Sequence, residues 1–218
     1  MNQSKIIIVD DHLLFREGMK LLIEKEGMGL VIAEAENGQV FLELLNELKP
    51  DLVLMDIEMP IMNGLEATLK AKAMRPDLKI LVLTMLSEKD NYTEMINAGA
   101  MGFVLKTSGK QELERAVKRV ISGESYFSNE LLRQIILNIG KQPTSSGTIA
   151  PTNYEFTDRE LEILKYFCEG LTASEIADKL FRSVKTIEAH RSKLLEKTNT
   201  KHTINLVLFA IKNKFVTI

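Results

Sequence analysis

Asp10, Asp11, Asp56, Thr84 and Lys106 are the residues of this chain whose types could do chemistry together. Each closes a short apolar run. Ile6-Ile7-Ile8-Val9 leads into Asp10-Asp11, Leu52-Val53-Leu54-Met55 into Asp56, Ile80 to Leu83 into Thr84, and Phe103-Val104-Leu105 into Lys106. Such runs suit strands buried on both faces of a parallel sheet. The carboxyl ends of these strands form the rim where open α/β sheets bind their ligands. Three carboxylates gathered there repel, and each raises the others' cost of ionisation. A hard divalent cation relieves that strain, because Mg²⁺ takes oxygen from one or two carboxylates and keeps waters. An ionised Asp can attack phosphorus to give an aspartyl phosphate. The cation and a Lys ammonium would stabilise the equatorial oxygens, and a hydroxyl could hydrogen-bond the attached group. Asp56 alone would read as a cap or loop carboxylate. The convergence of five polar residues at four strand ends favours the reactive reading.

The elements that must position these groups alternate along residues 4–122. Strands are expected at 5–9, 30–35, 52–55, 79–84 and 102–106, and helices at 13–25, 38–48, 65–75, 90–98 and 111–122. Helical stripes such as Phe15, Met19, Leu22 and Ile23, or Phe41, Leu44, Leu45 and Leu48, fix the helices. Five strands alternating with five helices predict an α/β fold: a five-stranded doubly wound parallel sheet of flavodoxin-like order with right-handed crossovers. After Asp56, Met59-Pro60 and Asn63-Gly64 punctuate a turn, Pro by fixing φ and Gly by permitting positive φ.

Composition sets limits. The 218 residues suit one large or two small domains. No apolar run reaches the roughly 18 residues of a membrane span, and no signal-peptide pattern opens the chain, so a cytoplasmic location without a membrane partner is expected. The single cysteine, Cys168, excludes an internal disulfide and fits a helix core better than a redox role. Residues 153–218 carry 11 Lys and Arg against 9 Asp and Glu, whereas residues 1–152 carry 17 against 21. A basic C-terminal part suggests a polyanion partner.

Residues 140–152, GKQPTSSGTIAPT, have the composition of a flexible tether, preceded by an expected helix from Ser128 to Ile139. The expected organisation is residues 1–124, a linker over 125–153, and an all-α domain over 154–218. In the last, Thr157-x-x-Glu160 and Thr172-x-x-Glu175 are capping boxes, and Ser183 is an N-cap. The second helix is expected from Ala173 to Phe181, leaving only Arg182 and Ser183 before the third, a spacing that fits a helix-turn-helix. In the third helix, 184–197, Val184, Ile187, Leu194 and Leu195 are expected to point inward. Lys185, Glu188, Ala189 and Ser192 recur at i, i+3, i+4 and i+7 on another face, flanked by Thr186, His190, Lys193 and Lys197, with Arg191 nearby. Short side chains flanked by cations suit a helix entering the major groove of double-stranded DNA. A solvated amphipathic helix is the plainer alternative. The fourth helix, 203–212, is apolar on most sides, so one side should pack inward and the rest could form a dimer contact.

Residues 4–122 resemble the receiver domain of two-component response regulators, on the motifs IIIVDDH, LVLMDIEMPIMNG, VLTM and GFVLK. Residues 155–218 resemble the LuxR-type helix-turn-helix of the NarL/FixJ class, most clearly in FTDRELEILKYFCEGLTASEIADKLFRSVKTIEAHRSKLLEKT. The resemblance implies that Asp56 accepts a phosphoryl group from a sensor histidine kinase. It implies Mg²⁺ held by Asp11, Asp56 and the backbone carbonyl of Glu58, with Asp10 acting through water. Thr84 would be the switch hydroxyl, Lys106 the phosphate-binding ammonium and Phe103 the rotating aromatic. Glu188, Ala189 and Ser192 would face bases, while Lys185, Thr186, Arg191 and Lys193 serve the DNA backbone. The phosphorylated protein is expected to bind DNA as a homodimer, regulating transcription rather than turning over a substrate.

The chain departs from the family pattern at several positions. Thr107 stands where a proline is common. Met85 stands where a small residue is common and is expected to crowd the phosphate. Glu188 stands where some members carry a cation, and Asn213-Lys214 stand where glycine often ends the last helix. His12 beside the acids reads as a helix-start histidine rather than a ligand, because Mg²⁺ prefers oxygen. Two rivals keep the same residues: a DNA-binding protein indifferent to phosphorylation, and an aspartyl-phosphate phosphatase acting on external substrates.

Overall fold

The computed structural model describes residues 3–85, 92–127, 154–200, 203–213 and 215–216. The chain divides into two compact units, residues 1–131 and 132–218. The helix and tether expected over 128–152 lie outside the described residues.

The first unit alternates strand and helix: β1 (Lys5–Val9), α1 (Leu13–Lys25), β2 (Leu30–Ala35), α2 (Gly38–Glu47), β3 (Leu52–Asp56), α3 (Gly64–Met74), β4 (Ile80–Thr84), α4 (Tyr92–Ala98), β5 (Gly102–Leu105), α5 (Lys110–Ile121) and β6 (Tyr126–Phe127). The strands pair in parallel in the order β2-β1-β3-β4-β5-β6. The chain therefore reverses direction across β1, which places β1 and β3 side by side at the switch point where such sheets open a crevice. Every residue of β3 and β4 is buried. On one sheet face Ile6, Ile8, Leu52, Leu54, Leu81 and Val104 pack with Met19 and Ile23 of α1 and with Leu113, Val117 and Val120 of α5. The alternate residues Ile7, Val53, Met55, Val82 and Phe103 are equally buried and face the other way.

The sheet has six strands where the sequence predicts five. The added β6 pairs with β5 through Gly102↔Tyr126 and Phe103↔Phe127. Two residues are too few for any periodicity to announce. Glycine makes the pairing possible, because a Cβ on Gly102 would stand 2.7 Å from the Tyr126 carbonyl oxygen.

Helix ends are closed locally and at a distance. Asn37 and Asn63 accept hydrogen bonds from the Val40 and Glu66 N–H groups as N-caps. The Arg75 guanidinium donates to the Leu45 and Leu48 carbonyls at the end of α2, and Lys79 donates to the Ile121 carbonyl at the end of α5. These cations satisfy orphan carbonyls at the negative ends of the two helix dipoles.

The second unit contains α6 (Asp158–Cys168), α7 (Ala173–Lys179), α8 (Val184–Lys197) and α9 (Thr203–Lys212). Both capping boxes form, and Ser183 caps α8 by accepting from the Thr186 N–H. Ile163, Leu164, Phe167, Ile176, Ile187, Leu194, Leu206 and Ala210 build its core. Cys168 belongs to that core, and burial pushes its thiol up to about 12, so it is inert. Three expectations change here. α7 ends at Lys179 with Leu180 as C-cap, two residues short of the expected end. Phe181 cannot extend the helix because its φ is +52°. Val184 is 45% exposed instead of inward, since it starts α8 a full turn before Ile187 reaches the core. Finally, Tyr154 and Phe156 meet Phe209 and Phe215 edge to face, at centroid separations of 4.9 Å for Tyr154–Phe209 and 5.0 Å for Phe156–Phe215. That cluster partly covers the side of α9 read from sequence as open for a dimer.

Candidate functional site

Sheet register brings the candidate residues level. Val9 lies opposite Met55, Asp56 opposite Leu83 and Thr84 opposite Leu105, so Asp10, Asp56, Thr84 and Lys106 emerge at adjacent strand ends. The Lys106 N–H donates to the Thr84 carbonyl at 2.7 Å, holding the ends together. Asp10 is fully buried, Asp56 is 5% exposed and Thr84 2% exposed. Lys106 Nζ sits between two acids, 2.7 Å from Asp10 Oδ2 and 2.8 Å from Asp56 Oδ2. The Lys106 ammonium is the partner of Asp10 Oδ2, which has no other among the described residues. The ammonium also stands 4.9 Å over the Phe15 ring, a cation–π contact.

The two charges answer burial differently. Burial pushes the Asp56 carboxyl up to about 6, because loss of water outweighs the Lys106 hydrogen bond and charge, and the Asp10 charge adds to the rise. Burial would lower the Lys106 ammonium, but hydrogen bonding and charge from Asp10 and Asp56 outweigh it and raise its pKa.

The loop after β3 turns tightly to reach α3. The Gly64 N–H donates to the Ile57 carbonyl at 2.8 Å, and a Cβ on Gly64 would fall 2.0 Å from the Asp56 carbonyl oxygen. Only glycine permits this close return, which brings the segment from Ile57 to Pro60 to one opening beside Asp11. There a cleft of about 450 Å³ is lined by Asp11, Glu58, Met59, Pro60, Asn63 and Met95. Met85, the residue after Thr84, is 65% exposed.

Ligand atoms of Asp10, Asp11, His12 and Asp56 all lie within 4.8 Å of one another. Three of the four donors are carboxylate oxygens, so the set fits a hard cation such as Mg²⁺. His12 Nδ1 is engaged 2.8 Å from Asp11 Oδ1, and the His12 N–H donates to Asp10 Oδ1 at 2.9 Å. The histidine thus orients the acids.

No sequence motif marks Arg16. It is 8% exposed and donates from Nη1 to the Asp10 carbonyl at 2.5 Å, with Nε 3.9 Å from Glu34 Oε2. Its signal was spacing: Arg16, Met19 and Ile23, the buried residues of α1, lie at i, i+3 and i+7. Phe103 is fully buried between Tyr92 and Phe127, with ring centroids 5.7 and 5.5 Å away.

In the second unit, Lys185, Thr186, Ala189, Ser192 and Lys193 are exposed on α8, while Glu188, His190 and Arg191 are half-buried. Glu188 and Arg191 form an ion pair at 2.8 Å, and Ser192 Oγ donates to the Glu188 carbonyl. Lys197 leaves the flanking set. It is held 2.7 Å from the buried Glu160 and donates to the Glu155 carbonyl. Burial would raise the Glu160 carboxyl, but the Lys197 hydrogen bond, together with the Thr157 cap, brings it below the usual range.

Comparison with known proteins agrees with both halves. The Response regulator receiver domain family matches residues 6–118, and the family of bacterial regulatory proteins, luxR family, matches residues 155–210. The chain is 34% identical to the transcriptional regulatory protein DegU of Brevibacillus brevis, covering 99% of this chain and 96% of that one. It is 34% identical to the response regulator GacA of Pseudomonas aeruginosa, covering 97% of each. Among solved structures, a LuxR-family two-component response regulator from Aurantimonas matches with a TM-score of 0.60 and 31% identity over 64% of this chain and all of that one. A structure of two RcsB dimers bound to two parallel DNAs matches with a TM-score of 0.57 and 25% identity over 99% of this chain and all of that one. An acidic strand-end pocket joined to a capped helix-turn-helix, with these relatives along nearly its whole length, makes the chain a transcriptional response regulator of the receiver-plus-LuxR class.

Proposed function

We propose that Asp56 is the residue that carries a phosphoryl group, taken from a sensor histidine kinase, and that its occupancy controls DNA binding by α8. The observation that carries this is the buried Lys106 ammonium between Asp10 and Asp56. It supplies fixed positive charge where a transferred phosphoryl group would gather negative charge. An oxygen of the ionised Asp56 carboxylate attacks phosphorus as the bond to the donor breaks, and the donor leaves with that electron pair. Lys106 then exchanges one carboxylate partner for a phosphoryl oxygen. Thr84 closes on the phosphoryl group, and Phe103 repacks in the space so altered. Mg²⁺, held by Asp10, Asp11, Asp56 and the Glu58 carbonyl, would neutralise charge on the transferring oxygens. The chemistry stays on the chain itself, without turnover on an external substrate.

Phosphorylation biases a two-state equilibrium toward a homodimer, which presents two α8 helices to half-sites about one helical turn apart. Lys185, Thr186, Arg191 and Lys193 serve phosphates, and Glu188, Ala189 and Ser192 face bases. No helix among the described residues is long and apolar enough to cross a membrane, and a cytoplasmic site of action fits a DNA partner. The test is DNA affinity of the full chain with and without acetyl phosphate and Mg²⁺. Wild type should tighten severalfold and Asp56→Asn should not respond. Equal affinity in all four samples would favour a phosphorylation-independent DNA-binding protein.

A further inference from the structure

Phe181 is the most exposed large apolar side chain among the described residues, at 93%. It also occupies an unfavourable backbone position. α7 ends in a Schellman arrangement: the Phe181 N–H donates to the Asp178 carbonyl and the Arg182 N–H to the Ala177 carbonyl. The residue between those bonds must be left-handed, and glycine or asparagine usually supplies it. Here φ is +52° on a phenylalanine. The ring makes no aromatic contact among the described residues, so neither backbone comfort nor burial within the unit accounts for it. Strain held at an exposed site points toward a partner.

The neighbourhood says which partner. Three residues on, Val184 is 45% exposed. Arg182 and Lys185 alternate with these two apolar groups, and all four are exposed. Between Asp178 and Glu188 the chain holds Lys179, Arg182 and Lys185 and no acidic residue. Apolar groups interleaved with cations match the edge of a duplex, where thymine offers a C5-methyl group and phosphates lie on either side. The patch runs directly into the exposed face of α8. We infer that Phe181 and Val184 extend the DNA-reading surface beyond that helix by making apolar contact with a thymine methyl at the edge of each half-site, while Arg182 and Lys185 hold the adjoining phosphates.

The inference rests on the reading of α8 as the DNA-reading helix, and one experiment separates the two. Full-length wild type selects duplexes from a random library, and each thymine of the selected site is replaced in turn by deoxyuridine, which removes only the methyl group. Wild type should lose about three- to tenfold in affinity at one position per half-site. Phe181→Asn should bind the thymine duplex more weakly by a similar factor and ignore that replacement. Its thermal midpoint should not fall, since asparagine accepts the left-handed backbone. Wild-type affinity with the same thymine-to-uracil profile in Phe181→Asn would overturn the inference. So would a variant that keeps its DNA profile but loses transcription with purified RNA polymerase, because the ring would then face a protein. A lowered midpoint with uniformly weaker binding to all duplexes would make Phe181 structural. Failure of wild type to select any duplex would instead remove the DNA-reading role of α8 itself.

Discussion

Asp56 is held where burial of its charge costs stability. Its carboxyl sits near 6 because burial opposes its charge. An acid raised in the folded state binds its proton more tightly than the unfolded chain does, so the metal-free protein should lose stability as pH rises from about 4 to about 6. Asp56→Asn should therefore stabilise the metal-free protein at pH 7.5 by about 1–3 kcal/mol. That gain should vanish near pH 4, as read by urea unfolding across the range. Lys106→Met should act oppositely. It leaves two buried carboxylates without their shared cation and should cost about 3–5 kcal/mol at neutral pH, less at pH 5. A flat pH response in both variants would contradict this electrostatic account. The acids and the lysine were legible because strand ends in an alternating pattern must meet. Arg16 was not, since a cation on an apolar stripe reads as a surface residue until its guanidinium is seen on the Asp10 carbonyl.

At the scale of elements, the pocket depends on how closely the β3–α3 loop returns. Gly64→Ala would drive a methyl group into the Asp56 carbonyl oxygen, and neither backbone can yield without moving Asp56. The expected cost is at least about 2 kcal/mol in stability, with loss of phosphodonor labelling. Labelling at the wild-type rate would show that the loop tolerates displacement. Local chemistry made most elements readable: Thr157, Thr172 and Ser183 all cap where their spacing predicts. What stayed hidden was set by distant partners. β6 exists because Gly102 admits Tyr126, and α2 ends where Arg75, nearly thirty residues later, satisfies its carbonyls. Phe181 breaks the rule by which left-handed caps are recognised, so the end of α7 was read two residues long.

For the whole molecule, charge is divided between roles that sequence alone blends together. Counting cations along α8 treats Lys193 and Lys197 alike. The structure exposes Lys193 and ties Lys197 to Glu160 and the start of α6. Lys193→Ala should weaken binding to all duplexes and reduce the dependence of log affinity on log salt by about one unit. Lys197→Ala should leave that slope alone and lower the melting temperature of the C-terminal unit. Equal slopes in the two variants would show that α8 meets DNA in another orientation. Acid and base are likewise apportioned by unit: the first gathers carboxylates around one lysine, and the second spreads cations over an exposed helix.

A phosphoryl group carried by one side chain is read directly by intact-protein mass spectrometry. Full-length protein incubated with Mg²⁺ and acetyl phosphate should gain the mass of a single phosphoryl group, lose it on mild alkaline hydroxylamine treatment, and gain nothing when Asp56 is replaced by Asn. Undiminished labelling of Asp56→Asn, or no labelling of wild type under the same conditions, would contradict it.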